Sequence, residues 1–203
     1  MGQTMKRAAL LTVILWALLG LGFPLVMVGI GQLFFPWQAN GSVITVQGRP
    51  VAARHVGQYF GNTLQYFWGR PSDTTSITTG KLQPYNAFNS GPSNYGPTNA
   101  ALLHDVKVRV REYLQTTPGL KASQIPLSLV ESSGSGLDPD ITVQSAFIQI
   151  PRIAKHTGLS VTTLTRLVES HILPPELGIF GPRRINVVLL NVALTALIHK
   201  HES

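Results

Sequence analysis

The sequence contains no cysteine in 203 residues, which excludes disulfides, thiolate metal sites, cysteine nucleophiles and bacterial lipoprotein anchors. Charged residues are scarce as well, at 12% against a globular average of about 25%. None occurs from Ala8 to Phe35. The residues after this run suffice for one ordinary domain. Two large domains, a multi-spanning carrier and a disordered chain are therefore excluded.

The uncharged run predicts a membrane helix near the N-terminus. Its length as a helix is about 42 Å at 1.5 Å per residue, more than the roughly 30 Å of bilayer hydrocarbon. A cleaved signal peptide is the alternative, but its apolar stretch would be only about 7–15 residues. The run ends instead in the aromatic cluster Phe34–Trp37, which is typical of a membrane interface.

The charges beside this run predict its orientation. Lys6 and Arg7 precede it, and the next charged residue is Arg49. Positive residues stay inside the cell, so the main domain is placed outside. We predict a single-pass protein of the inner cell membrane with a cytoplasmic N-terminus (1–7), a transmembrane helix (8–35) and an extracytoplasmic soluble domain (36–203).

Small residues inside the run predict contact with another helix. Gly22 and Gly29 are seven residues apart and share a helix face, and small residues let helices approach closely in lipid. Gly20, Gly22 and Pro24 together predict a kink.

The soluble part shows short, mixed patterns, which predict an α+β fold with one mixed α/β domain after the membrane helix. Strands are predicted at 42–47 as the first arm of a hairpin, at 64–68, at 127–130 and at 185–188. Helices are predicted at 54–60, from Thr98 or Asn99 to about Tyr113, at 142–149, from Pro151 to Gly158, from Ser160 onward, and at the apolar C-terminus.

The stretch Ser72–Asn99 has no helical or alternating period and is rich in Ser, Thr, Gly, Pro and Asn. Long loops of this kind in compact domains are functional or disordered. The density of turn residues favours an ordered loop on the domain surface. Its candidate interaction residues, with one arginine that precedes it, are Arg70, Ser90, Ser93, Asn94 and Asn99.

No catalytic constellation stands out, and no metal site is predicted, because the histidines lack ligand spacing. The helix–turn–helix pattern at 151–168 lacks a basic face, so nucleic acid is not an expected partner. The net charge of +7 is spread thinly, which favours a basic rim facing an anionic neighbour.

The segment 132–138 permits two interpretations. It can be a tight turn into a helix, in which Gly134 and Gly136 adopt positive φ and Asp138 caps the helix. Alternatively, its backbone N–H groups can hold an anion such as a nucleotide phosphate at a helix start. The residues concerned are Ser132, Ser133, Gly134, Ser135, Gly136 and Asp138.

Five segments, taken in order, resemble the C subunit of the Kdp potassium-transporting P-type ATPase, the KdpC family. They are Phe67–Ser72, Ser90–Asn99, Ser132–Ile141, Gln149–Ala154 and Gly181–Val187. Their spacing, the chain length and the single N-terminal span match as well.

This resemblance implies a non-catalytic subunit of a potassium pump. The implied partners are a channel-like potassium-translocating subunit, an ATP-hydrolysing P-type subunit and a small single-span subunit. The family is described as a catalytic chaperone that raises the pump's apparent ATP affinity. No intrinsic cofactor is expected, because an external domain meets ATP only through the complex. A membrane-anchored extracytoplasmic protein that binds a small ligand is the alternative.

Overall fold

The computed structural model describes residues 2–61 and 63–202, so Met1 and Ser203, the ends of the predicted segments, lie outside the described residues. The chain divides into two units, Met1–Val51 and Ala52–Ser203. Within the described part, the fold is an N-terminal apolar helix and a mixed helix-and-sheet domain, which confirms the predicted fold class.

The first unit begins with a helix of 33 residues, Gly2–Phe34. The most apolar 18 residues of this helix have a mean hydropathy of 2.4, and none of them is buried. By length and composition it can cross a membrane. It comprises α1 (Gly2–Ala17), a π-helical turn (Leu18–Gly22) and α2 (Phe23–Phe34). The residues predicted to kink, Gly20, Gly22 and Pro24, overlap the end of this π-helical turn, and Pro24 lies in the first turn of α2, where its missing N–H group is tolerated.

A short helix and a hairpin follow. The helix α3 spans Pro36–Ala39, and strands β1 (Val43–Val46) and β2 (Arg49–Ala53) form a two-stranded sheet. The hairpin prediction is confirmed. Gln47 and Gly48 join the strands with φ of 51° and 76°, as a two-residue turn of the type that suits twisted strands.

Among its described residues, the second unit has five α-helices and a three-stranded antiparallel sheet of order β3–β5–β4. The central strand aligns Ile185 with Ile141 on one side and with Ile172 on the other. The elements are α4 (Ala100–Thr116), β3 (Asp140–Thr142), α5 (Val143–Phe147), α6 (Ile150–Thr157), α7 (Val161–Ser170), β4 (Ile172–Leu173), β5 (Arg184–Asn186) and α8 (Val187–Glu202), with 3-10 turns at Ala122–Gln124 and Leu127–Leu129.

Helix boundaries follow their capping residues. The side chain of Asn99 accepts the amide of Ala101 at the start of α4, and Ser160 accepts the amide of Thr163 at the start of α7. Gly158 ends α6 with φ of 72°, where a side chain would be strained. These three predicted boundaries are confirmed.

The helix predicted at 54–60 is wrong. Its backbone turns towards the 132–138 segment instead, and the amide of Gly57 donates to the carbonyl of Leu137 at 2.8 Å. The strand predicted at 127–130 is a 3-10 turn, entered from Pro126. The strand predicted at 185–188 ends at Asn186, where α8 begins.

The strand predicted at 64–68 is also wrong, because side chains satisfy its backbone. Asn191 accepts the amide of Phe67 and donates to its carbonyl, both at 2.9 Å. Gln149 does the same for Trp68, at 2.8 and 3.1 Å. Two buried amides on α8 and before α6 therefore replace a neighbouring strand and seat this segment in the core.

Candidate functional site

Hydroxyl groups of the Ser72–Asn99 loop bind backbone groups of the loop itself and of Gly136. Ser72 Oγ donates to the carbonyl of Gly136 at 2.7 Å and accepts the amide of Tyr85 at 2.8 Å. Thr74 Oγ1 donates to the carbonyl of Gln83 and accepts the amide of Asn86. Both hydroxyl-bearing residues are buried. Small polar side chains thus replace the missing helix or strand, which explains the loop's composition.

Tyr85 fastens the loop to the body of the domain. Its hydroxyl donates to the carbonyl of Arg70 at 2.6 Å. Its ring lies so close to Gly57 and Gly69 that a Cβ there would come within 2.3 and 2.7 Å of ring or hydroxyl atoms. Burial raises the pKa of the Tyr85 hydroxyl, and the nearby Asp138 carboxylate adds to the rise. The hydroxyl therefore stays protonated and remains a donor at neutral pH.

Asp73 joins the loop to two other segments. One carboxylate oxygen accepts Arg109 Nη2 of α4 at 2.7 Å, and the other accepts the hydroxyl of Ser132 at 2.5 Å. Arg109 also donates to the carbonyl of Val130. The two charged side chains are about four-fifths buried, which strengthens their attraction over that of an exposed pair.

A second ion pair lies at the other end of the 132–138 segment. Arg70 donates to Asp138 at 3.1 Å and to the carbonyl of Ser132 at 3.3 Å. The other oxygen of Asp138 accepts the amide of Asp140, which starts β3. The predicted helix cap at Asp138 is therefore wrong, because a strand and not a helix follows it.

The glycine turn, residues 132–138, is bound to the loop through its backbone. The carbonyl of Ser135 accepts both the hydroxyl of Ser90 and the amide of Gly91, each at 2.9 Å. The amide of Ser133, whose side chain is buried, donates to the carbonyl of Pro71 at 3.2 Å. The structure thus brings Arg70 and Ser90 together with the predicted turn residues, and we call this group, with Asp73 and Arg109, the cluster.

The other predicted loop residues lie outside this cluster. Asn99 caps α4, and Asn94 is exposed with φ of 57°. Ser93 contributes to a shallow depression beside Asp73. We find no hydrogen bond from these three to the glycine turn in the part of the chain that the structure describes.

The two glycines of the turn differ. Gly136 has φ of 67°, and a Cβ there would lie 2.3 Å from Thr74 Cγ2 and 3.0 Å from the carbonyl of Gly91. Gly134 has no positive φ and open space around it. The expectation of positive φ is confirmed at Gly136 and wrong at Gly134, because only Gly136 faces the loop.

The turn's electrostatics bear on phosphate binding. Amides of Ser133, Gly136 and Leu137 already donate within the protein. The carboxylates of Asp73 and Asp138 contact the segment at both ends, where they repel an anion. The helix start needed for a dipole-assisted site is absent here, since β3 follows the turn.

Beneath the cluster lies a buried arginine. Arg152 of α6 is fully buried, donates to Gln149 and to the carbonyl of Tyr66, and places its Cζ 3.7 Å from the centroid of the Trp68 ring. Burial lowers the pKa of Arg152 to about 10, so it is charged at neutral pH. The indole face lies against this cation, and the nearby Glu112 carboxylate also favours its charged form.

A cavity of about 160 Å³ opens between α4 and the loop. Its lining is rich in aromatic side chains and includes Arg70, Arg109 and Glu112. Ligand sites typically measure roughly 300–1,000 Å³, so this cavity is small for an organic ligand. Among residues 2–61 and 63–202, no group of three or more acidic or histidine side chains could hold a metal ion.

Sequence reasoning missed Asp73, Tyr85, Arg109 and Arg152. Asp73 carried one available signal, because it is the lone acidic residue between Ser72 and Asn99. The other three depend on contacts between distant segments, which a sequence pattern does not contain.

The two glycines predicted to pack in the membrane lie in the long helix. Gly22 ends the π-helical turn, and the nearest other atom to a Cβ there is the Ala17 carbonyl at 3.7 Å. Gly29 has nothing within 4 Å. Apart from the adjacent residues, no side-chain atom of the described residues lies within 4 Å of the Cβ position at either glycine.

Comparison with known proteins gives one consistent result. A family model described as KdpC, K+-transporting ATPase, c chain, matches residues 5–196. The potassium-transporting ATPase KdpC subunit of Caldanaerobacter subterraneus subsp. tengcongensis is 41% identical, over 100% of both chains. The subunit of the same name from Janthinobacterium sp. (strain Marseille) is 42% identical, over 96% of this chain and 98% of the relative.

Proposed function

Because the chain belongs to the KdpC family and is thus a subunit of a potassium-transporting ATPase, we propose that it is a non-catalytic accessory subunit that stabilises the pump. Its proposed partners are the channel-like potassium-translocating subunit, the ATP-hydrolysing subunit and the small single-span subunit. It raises the ATP affinity of the ATP-hydrolysing subunit without contacting ATP itself.

One observation carries the proposal: the polar residues of the cluster are engaged with one another. Asp73, Arg109, Arg70 and Asp138 form two ion pairs, and the glycine turn supports the loop. A catalytic group would need a perturbed side chain facing a cleft with room for substrate. The cluster instead has the properties of a rigid scaffold.

The proposed arrangement places the N-terminus in the cytoplasm and the main domain outside. It rests on Lys6 and Arg7 before the apolar helix. An external domain is separated by the bilayer from cytosolic nucleotide. The effect on ATP affinity is therefore a coupling between distant sites, and such coupling is reciprocal for binding.

The first test is co-purification. The tagged full chain is expressed with the other pump subunits, solubilised in detergent and recovered through its tag. We expect the channel-like and the ATP-hydrolysing subunits in the eluate. Recovery of the chain alone would favour the alternative, a membrane-anchored protein that binds a small ligand.

The second test concerns ATP. Calorimetric titration of the detergent-solubilised full chain with ATP is expected to show no saturable binding at low millimolar concentration. Binding that Ser135→Asp abolishes would contradict the proposal, because an added carboxylate in the turn repels phosphate. In the complex, a non-hydrolysable ATP analogue should tighten association of the chain by the same factor, about 5–150-fold, by which the chain tightens analogue binding.

A further inference from the structure

A short hairpin between β4 and β5 carries three large apolar side chains that the rest of the protein does not cover. Leu177, Ile179 and Phe180 are 87%, 76% and 60% exposed. We call residues 176–180 the apolar tip. Isolated exposed apolar residues are ordinary, but three within four residues of one short turn are a local concentration, and concentrations of exposed apolar residues mark interaction sites.

The tip has a defined shape. Glu176 and Phe180 exchange backbone hydrogen bonds, both at 2.9 Å. Leu177 and Gly178 turn the chain with φ of 53° and 78°. Pro174, Pro175 and Pro182 flank the turn and restrict its backbone. The three side chains are thus presented on a backbone that loses little freedom on binding.

An ion-pair chain fixes the tip to the sheet. The carboxylate of Glu176 pairs with Arg184 of β5, which also contacts Asp140 of β3 at 2.9 Å. Asp140 lies opposite Asn186 in the pairing of β3 with β5. The tip is thus linked to β3, the strand that follows the glycine turn.

The charge beside the tip indicates the chemistry of its partner. Arg183 is exposed, and the structure gives it no ion pair among the described residues, whereas Arg184 is engaged twice. An acceptor that covers the tip would meet an uncompensated positive charge at its edge. Complementarity therefore requires a carboxylate on the acceptor's rim.

We propose that the apolar tip inserts into an apolar pocket with an acidic rim on another subunit of the potassium-transporting ATPase. The proposal rests on the proposed function, since it needs a partner subunit. A second copy of this chain fits less well, because two convex tips bury only a few hundred Å², against about 800 Å² per partner in a stable interface.

The test uses the full chain co-expressed with the other subunits. A photo-cross-linking phenylalanine analogue replaces Phe180 in one protein and Phe88, which is 88% exposed in the Ser72–Asn99 loop, in the matched control. We expect the Phe180 position to cross-link to another pump subunit and the Phe88 position to do so at least about tenfold less. Cross-links of Phe180 to lipid, or to a second copy, would overturn the proposal.

Substitutions provide an independent arm. Leu177→Ser with Ile179→Ser should reduce recovery of the other subunits about tenfold, as loss of hot-spot contacts does. Ile77→Ser with Leu82→Ser, at loop positions that are 67% and 65% exposed, should leave recovery unchanged. Arg183→Glu should reduce recovery as well. Arg183→Lys, which keeps the positive charge, should leave recovery at the wild-type level.

Two results distinguish failure of the docking proposal from failure of the proposed function. Normal recovery with the tip variants, while wild type also recovers the subunits, would overturn the docking site alone. No recovery with wild type would contradict the proposed function and the docking site together. Unchanged melting temperatures of the tip variants in isolation exclude misfolding as the cause of lost recovery.

Discussion

The Arg152 guanidinium lies over the indole ring of Trp68, with 3.7 Å between Cζ and the ring centroid. The Trp68 ring also makes an edge contact with the ring of Tyr113, at a centroid distance of 5.2 Å. This fully buried cation is stabilised by the aromatic face, by hydrogen bonds to Gln149 and to the carbonyl of Tyr66, and by attraction to the Glu112 carboxylate. This unit supports the cavity, which Trp68 and Tyr113 line.

The first prediction concerns this stacking. In a double-mutant cycle of Arg152→Met and Trp68→Phe, we expect a coupling free energy of about 0.5–2 kcal/mol, measured by denaturant unfolding of the solubilised chain. Arg166→Met, at an exposed position of α7, is the control for loss of an arginine. Additive effects of the two substitutions would show that the ring and the cation act independently.

The second prediction compares the two glycines of the turn. Gly136→Ala should destabilise the protein by at least about 1–2 kcal/mol, because alanine is strained at positive φ and its Cβ meets Thr74. For a domain of this size that lowers the melting temperature by roughly 2–4 °C per kcal/mol. Gly134→Ala should change stability by less than about 0.5 kcal/mol. Equal effects in thermal unfolding would refute the difference between the sites.

The third prediction is a pH dependence. Burial raises the pKa of Glu112 against the lowering effect of Arg152 and Arg109. Its folded pKa exceeds its unfolded pKa, so the unfolded chain releases this proton first and stability is lost as pH rises through the folded pKa. Glu112→Gln, which stays neutral, should therefore be more stable than wild type at pH above that pKa.

This advantage should vanish below the unfolded pKa of Glu112, where wild type is also neutral. Melting temperatures of both proteins across acidic and neutral pH measure it. Glu169→Gln, at an exposed position of α7, shows what removal of one negative charge does elsewhere. A Glu112→Gln protein that is less stable than wild type at neutral pH would contradict this prediction.

The fourth prediction concerns sidedness. The chain has no cysteine, so one introduced thiol is the only target for a maleimide. Thr162→Cys, exposed on α7, should react with a membrane-impermeant maleimide in cells without an outer barrier. Gln3→Cys, at the other end, should react only after lysis. The opposite pattern would place the main domain in the cytoplasm and revive direct contact with ATP.

The fifth prediction concerns the membrane helix. Gly22→Leu with Gly29→Leu should reduce co-purification of the large subunits without affecting insertion, because leucine blocks close approach of a second helix. Gly20→Leu, about half a turn away from Gly22, is the matched control. Normal assembly of the double variant would indicate that this face contacts lipid.

Local signals in the sequence were sufficient for much of the fold. The apolar run, the Asn99 and Ser160 caps, the Gly158 terminus and the Gln47–Gly48 turn depend on neighbouring residues, and each is found where expected. Capping and turn preferences act over only a few positions, so a sequence carries them directly.

The misplaced elements depend on distant partners. The apolar and aromatic segment 64–68 is predicted to be a strand. It does not form one, because Gln149 and Asn191 bind its backbone. The glycine requirement falls on Gly136 because the loop, 45 residues away at Ser90, packs against the turn. Such contacts form between segments that no local pattern connects, and they decided most of the candidate site.

The amide bonds around Phe67 and Trp68 also affect how the chain is made. Asn191 follows Phe67 by 124 residues, and Gln149 follows Trp68 by 81. At about 5–20 residues per second, the ribosome needs roughly 6–25 s to supply Asn191 after Phe67. Until then the backbone of Phe67 lacks the side chain that binds both its amide and its carbonyl. The domain therefore completes its fold only after nearly the whole chain has been synthesised, and a nascent chain released early would expose this segment to aggregation or proteolysis.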